Sequence, residues 1–436
     1  MKISRVLWPR GRALKHGDRP AHAWAVNMSP GLATTGADTD PGGILTYSLA
    51  GAQYGFGLLW ICVLSYPSMV ALQLLATRVG AVTGKGLTEN MRVHYSRWLF
   101  VLAVARFLLA NTLNMAADML AMGEGAQQIF RGPVELFTLA FAAGSLALQW
   151  WVPYVRYASV VKWLCVALFC YAGTLLVVDV QWRMAGWRAL VPDVTWSEGF
   201  IGMLVAVLGT TVSPYLLFSQ AEAEVEERTH DAAPRHADRA LPREDPDQLR
   251  KIRRETQLRT VLSNAAGALI LCASAATMHA RHLPLNSVGD AAKVIAPVAH
   301  GYASQVLGLA LIGTALLALP PLAGSAAHAA ASSFGWPRGH RRDRRIAVVL
   351  LGLMALSAAI AVLLGAWGVD AVKACYWSAL TNGMTVTPVL ILLVLLSGHP
   401  EAVGTMKSHG FVRALSWLAV IATGAALTAH TVLPFL

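Results

Sequence analysis

Ala37-Asp38-Thr39-Asp40-Pro41-Gly42-Gly43 interrupts the first apolar segment of the chain, with apolar residues at 28–32 before it and at 44–64 after it. Two carboxylates, a proline and two glycines do not belong in a plain membrane helix. An ionised Asp at bilayer depth costs several kcal/mol and persists mainly where it faces a cavity or a partner. Pro and Gly break the helical ladder, and the freed carbonyls must then point at protein, water or a ligand. The stretch reads as an unwound helix with an anionic, carbonyl-rich break. That is the chemistry of a cation site.

The rest of the chain is written for the same apolar solvent. Of its 436 residues, 56% are hydrophobic and 14% charged, with a mean hydropathy of +0.51, too apolar for an ordinary soluble domain. Apolar runs long enough to cross a bilayer recur along the whole length, which predicts an all-α polytopic membrane protein with about eleven transmembrane helices. The cysteines (Cys62, Cys165, Cys170, Cys272 and Cys375) lie in or beside apolar runs without metal-ligand spacing and read as small core residues. No cleavable signal peptide is expected, because the basic leader lacks a separate apolar region and a small-residue cleavage site.

Residues 1–27 form that basic leader, expected in the cytoplasm. The first five spans occupy 28–178, and a Trp-rich stretch at 179–198 (Trp182, Trp187, Trp196) reads as an extracytoplasmic interfacial loop. Spans six to ten take 199–397, including a charged cytoplasmic loop at 224–259, and the last span lies in 398–436. Within this division, span one covers 28–53, span two covers 55–77 and ends at Arg78, and span three covers 98–123. With a cytoplasmic N-terminus, 28 Lys and Arg residues fall on cytoplasmic segments, six fall outside, and Arg106 lies within a span. This asymmetry obeys the positive-inside rule. The net charge of +11 is therefore a topology signal for a cytoplasmic membrane protein, and nucleic acid is not an expected partner.

A second polar, Pro-containing break, Gly209-Thr210-Thr211-Val212-Ser213-Pro214-Tyr215, falls in span six, five spans after the first. Matching breaks in matching positions predict two inverted five-helix repeats, with broken helices one and six and a substrate between them at the midplane.

The residues then resemble a known family. Ser29-Pro30-Gly31, Asp40-Pro41-Gly42-Gly43, Ala50-Gly51-Ala52-Gln53-Tyr54-Gly55 and Leu58-Leu59-Trp60 are similar to the first helix of the NRAMP transition-metal transporters. Those carry a D-P-G-N motif followed by A-G-A-Q-F-G. Val212-Ser213-Pro214-Tyr215 falls where the family has its M-P-H motif. The resemblance follows spans one to ten by order and spacing, and it implies an alternating-access carrier with Asp40 as a metal ligand.

The departures change the expected cargo. Gly43 stands where the family has a coordinating Asn, so only a carbonyl or a water remains there. Ser213 replaces the metal-binding Met, Tyr215 the motif His, and Gln220 a further expected His. Asn114 and Ala117 fall where the family has acidic residues linked to proton movement. Thioether and imidazole favour softer metals, whereas carboxylate, carbonyl, hydroxyl and water suit Mg²⁺, Ca²⁺ and Mn²⁺. Mg²⁺ usually keeps several waters and is held by one or two carboxylates. The resemblance is therefore closest to the divergent NRAMP-related magnesium transporters. The expected metal residues are Thr39, Asp40, Gly43, Thr211, Ser213 and Tyr215, holding a partly hydrated Mg²⁺ or Mn²⁺, with no resident cofactor.

Further polar residues are candidates for the pathway. Asp38 reads either as a second ligand or vestibule carboxylate, or as a partner of Arg106 or a backbone cap. Asn114 and Asp118 are four apart and share a helix face; they either line a polar path or hydrogen-bond between helices. Gln220 and Asn382 join the same list. Glu222, Glu224, Glu226 and Glu227 either collect cations at the inner vestibule or form a solvated helix end. Competing functions are a proton-coupled Mn²⁺/Fe²⁺ importer of the ordinary kind, an organic-solute carrier on the same scaffold, and a receptor without transport. Enzyme motifs are absent from the sequence.

Overall fold

The structure, a computed structural model, describes residues 39–152, 158, 160, 161, 163–231, 246–336, 344–399 and 410–435. Those residues contain no strand. The first described helix, α1 (Pro41–Tyr54), starts where the sequence stops being continuously apolar. Asp40 has an extended backbone and its carboxylate accepts from the Gly43 amide, while Pro41 occupies the first helical turn. Asx capping followed by a proline is a strong start signal. Residue 38 and those before it, including Asp38 and the first half of span one, lie outside the described residues.

A short helix at Leu59–Leu64 leads into α2 (Tyr66–Thr83), followed by α3 (Arg97–Phe130), α4 (Val134–Trp151) and α5 (Phe169–Val177). Then come α6 (Glu198–Thr211), α7 (Pro214–Asp231), α8 (Pro246–Thr277), α9 (Ala303–Ser333), α10 (Arg344–Ala366), α11 (Ala371–Leu396) and α12 (Gly410–Val432). The helix that contains Arg78 continues to Thr83, where Gly84 takes up a left-handed conformation. The third span is longer than its apolar run and reaches Phe130. Helices α7 and α8 extend from either side into the charged 224–259 stretch, leaving 232–245 outside the described residues.

Seven helical stretches among the described residues are long and apolar enough to cross a membrane, or eight if Leu164–Val177 and Trp182–Leu190, bent by 120°, form one span. The sequence expectation of about eleven exceeds this for local reasons. The start of span one is not described, the second span is divided at Ser65, and the apolar part of α4 is only Val134–Gln149.

Packing repeats itself across the bundle. α1 packs on α8 as α7 packs on α2, α3 on α4 as α9 on α10, and α3 on α11 as α9 on the 3-10 segment Leu164–Leu168. α3 and α9 cross each other at the centre. A five-helix unit used twice gives this pattern. The outer helices α10 and α12 bury only 22% of their apolar windows and turn Leu356, Leu363, Leu418 and Ile421 outward. Apolar residues exposed in that way suit lipid rather than water.

Candidate cation site

Each break is stabilised by its own local chemistry. The first helical turn of α1 presents amides that have no intrahelical acceptor, and its positive dipole end favours anions. Asp40 answers both needs. Its Oδ1 accepts from Gly43 N at 2.6 Å, and its Oδ2 accepts from Asn114 Nδ2 at 2.9 Å. Asp118, one helical turn beyond Asn114 on α3, accepts from Gly42 N at 3.2 Å. Both carboxylates are buried. The other side of Asn114 continues the chain into α11, where its Oδ1 accepts from Ser378 Oγ at 2.9 Å and Asn382 Nδ2 at 3.1 Å.

At the second break, Pro214 opens α7 without an N–H to offer the preceding turn. Ser213 Oγ takes that role and donates to the carbonyls of Gly209 and Thr210, each at 3.0 Å. The Thr211 hydroxyl donates to Val207 O at 2.7 Å and stands 2.8 Å from Tyr47 Oη, which joins α6 to α1. Thr39, Thr211, Ser213 and Tyr215 are all buried. α6 reaches α11 because neither carries a side chain at the crossing. A Cβ on Gly209 would run into the Ala379 carbonyl and the Gly383 amide, and one on Gly383 would run into the Val205 carbonyl. Small residues of this kind let membrane helices approach backbone to backbone. α11 therefore touches the α1 break through Asn114 and the α6 break through Gly383.

The groups hydrogen-bonded at the two breaks are carboxylate, amide, hydroxyl and backbone groups, and the buried Cys375 thiol of α11 is close to both carboxylates. Among the described residues, no three His, Cys, Asp or Glu side chains gather into one metal-binding group. A cation held here rests on one or two carboxylates and neutral oxygens, a set that suits hard ions.

Of the residues singled out in the sequence, Asp40, Gly43, Asn114 and Asn382 form one hydrogen-bonded cluster, and Asp118 lies beside it, bonded to the Gly42 amide. Thr211 joins α6 to α1 through Tyr47, and Ser213 braces the second break. Gln220 does not join them. Lying in the second turn of α7, it donates to the Gln73 carbonyl at 3.2 Å and accepts from Arg259, once its amide is turned to satisfy both neighbours. Arg259 and Thr260 also bind Gln73 Oε1, at 2.7 and 3.1 Å, so this cluster ties α2, α7 and α8 together. Arg106 donates to the Met384 carbonyl at 3.1 Å. Glu222 and Glu224 are buried, so this part of the acidic run is not a solvated helix end.

Sequence reasoning missed Ser378, Tyr47 and the Gly42 amide. Ser378 had a signal, being four residues before Asn382 on one face of α11; Tyr47 had none in an apolar run. It also missed Glu124, whose Oε1 accepts from Ala371 N at 2.6 Å at the start of α11. Beside it is a cavity of about 230 Å³ lined partly by Glu124, Glu135, Ser287 and Asp370.

Comparison with known proteins places this geometry in a wider context. Residues 31–432 match a family described as natural resistance-associated macrophage protein-like (Nramp). A divalent metal cation transporter, MntH, of Granulibacter bethesdensis is 24% identical over 99% of this chain and 92% of its own. An MntH of Klebsiella pneumoniae is 22% identical over 90% of both. Among solved structures, a manganese transporter of Eremococcus coleocola superposes with a TM-score of 0.72 at 17% identity, covering 94% of this chain and 87% of that one. The hydantoin-bound transporter Mhp1, of the nucleobase-cation-symport-1 family, superposes with a TM-score of 0.54 at 12% identity, covering 92% of each chain.

Proposed function

We propose that this chain, which belongs to the Nramp family, carries Mg²⁺ and Mn²⁺ across the cytoplasmic membrane by alternating access between its two broken helices. It is a divalent metal transporter and not an enzyme, with the metal as cargo rather than resident cofactor. The preference for hard ions rests on one observation. The side chains that meet at the breaks, Asp40, Asn114, Asp118, Thr211 and Ser213, offer oxygen and amide groups with no thioether or imidazole among them. Softer metals gain little from such a set, and Mg²⁺ can enter it with part of its hydration shell.

In this reading Asp40 is the anchoring ligand, held in place by Gly43 and Asn114. The carbonyls near Thr39, Gly43 and Thr211 and the hydroxyl of Ser213 complete a wet first shell, with Tyr215 beside it. The missing family His at Tyr215 and Gln220, and Ala117 on α3, leave few groups to relay a proton, so coupling to protons is weak or absent. The N-terminus is cytoplasmic. Titration calorimetry of purified protein with Mg²⁺, Mn²⁺ and Cd²⁺ tests the substrate. Mg²⁺ and Mn²⁺ should bind, Cd²⁺ should bind no tighter than Mn²⁺, and Asp40→Ala should abolish all binding. Strong preference for Cd²⁺ or Fe²⁺ would instead identify an ordinary transition-metal importer with a relocated soft ligand.

A further inference from the structure

The two carboxylates at the α1 break are not equivalent. Asp40 is hydrogen-bonded on both oxygens. Asp118 is fully buried and accepts the Gly42 amide on Oδ1, but its Oδ2 has no hydrogen-bond partner among the described residues. A buried carboxylate oxygen without a donor is costly, and such a group calls for something that completes it. No Lys, Arg or His among the described residues forms an ion pair with either carboxylate.

The oxygens of Asp40, Asn114 and Asp118 are gathered on one side of Gly42. The position one Cβ bond out from Gly42 is 3.4 Å from Asp40 Oδ1 and 3.6 Å from both Asn114 Oδ1 and Asp118 Oδ1. Three oxygens from α1 and α3 thus lie together beside the Gly42 backbone, where glycine puts no side chain between them. Asn114 Oδ1 is already engaged by Ser378 and Asn382. The uncommitted lone pairs belong to the two carboxylates.

We propose that Asp118 is a direct ligand of the transported divalent cation, so that the cation seat lies between α1 and α3 and carries two carboxylates. The proposal rests on the reading of Asp40 as the metal anchor and adds a second charged ligand from a different helix. Two carboxylates neutralise one divalent ion, which offsets the desolvation of both partners in a buried site. The ligand class is a hard cation such as Mg²⁺ or Mn²⁺, which accepts carboxylate oxygens and retains waters for the remaining positions. In this arrangement the α6 break contributes neutral oxygens only, since Ser213 Oγ donates to its own helix.

The test uses the full chain in detergent, with Mg²⁺ and Mn²⁺ as the probes, and reads binding by calorimetry and the metal-induced rise in melting temperature. Asp118→Asn keeps an acceptor for the Gly42 amide and removes the charge. It should weaken both metals at least tenfold and erase the metal-induced rise, with the metal-free melting temperature retained. Gly42→Ala is the second variant. Its added methyl makes ordinary contacts of 3.4–3.6 Å in the metal-free protein, so it should fold, yet it sets an apolar group against both carboxylates, hinders a cation from bridging them and should also weaken binding at least tenfold. Near wild-type affinity in Asp118→Asn overturns the proposal; should that variant fail to fold, near wild-type affinity in Gly42→Ala does so. If either result is accompanied by loss of binding in Asp40→Ala, the transport reading stands without it. A wild-type protein that binds neither metal overturns both.

Discussion

Asn114 stands between Asp40 on one side and Ser378 and Asn382 on the other, so one amide sets the orientation of the Asp40 carboxylate. Replacing it with Ala would leave Asp40 Oδ2 and two buried donors without this partner, and each buried group so stranded costs about 1–3 kcal/mol. That cost falls on the fold, so Asn114→Ala should lower the melting temperature by several degrees, and with Asp40 no longer held in orientation it should also weaken Mn²⁺ binding. Calorimetry on a monodisperse sample checks it, and unchanged affinity would remove Asn114 from the site. Polar residues on a membrane helix stand out in a sequence, because lipid cannot satisfy them. Their choice of partner does not stand out. Arg106 shows the difference: the structure gives it the carbonyl of Met384, a partner that no sequence signal marks.

At the scale of helices, the site depends on how closely α6 and α11 cross. Gly383 has no room for a side chain against Val205. Overpacking a tight interior position costs about 1–3 kcal/mol, more where backbones must separate. Gly383→Val should therefore lower the melting temperature by several degrees and reduce Mn²⁺ uptake in proteoliposomes. Gly352→Ala on α10, where an added Cβ meets nothing within 4 Å, should change neither. Equal behaviour of the two variants would show that the crossing is not needed. The link from Tyr47 to Thr211 belongs to the same scale, since it fastens α1 to α6 across the two breaks. Tyr47→Phe removes one buried hydrogen bond, about 1 kcal/mol, and should lower the melting temperature by a few degrees.

For the whole molecule the open quantity is what moves with the metal. Gln220 is committed to Gln73 and Arg259, which binds α7 to α2 and α8 rather than to the Asp40 cluster. Tyr215 and Ala117 likewise offer no imidazole or carboxylate in the positions where the resemblance leads one to expect them. Mn²⁺ entry into proteoliposomes holding a pH-sensitive dye should therefore leave the lumen close to its starting pH. Acidification in proportion to the metal taken up would show that protons are coupled through other groups.

The sequence by itself determined the membrane class, the helical architecture and the Pro-containing breaks, and it singled out Asp40 as a buried carboxylate. These follow from hydropathy, from Pro and Gly at fixed positions, and from the cost of a carboxylate in lipid, all of which act locally along the chain. The helical extension of α2 past Arg78 and of α7 and α8 into the charged stretch was less legible, because it rests on contacts between these helices: Val79 and Val82 of α2 are buried, and Gly80 lies against the Ala221 backbone of α7. What only the tertiary structure decided is which polar groups meet. Asn114 and Asp118 sit at the α1 break, Ser378 and Asn382 complete the cluster, and Gln220 belongs to another. Hydrogen bonds between residues more than 70 positions apart depend on how helices cross, and the crossings depend on where glycine leaves two backbones free to touch.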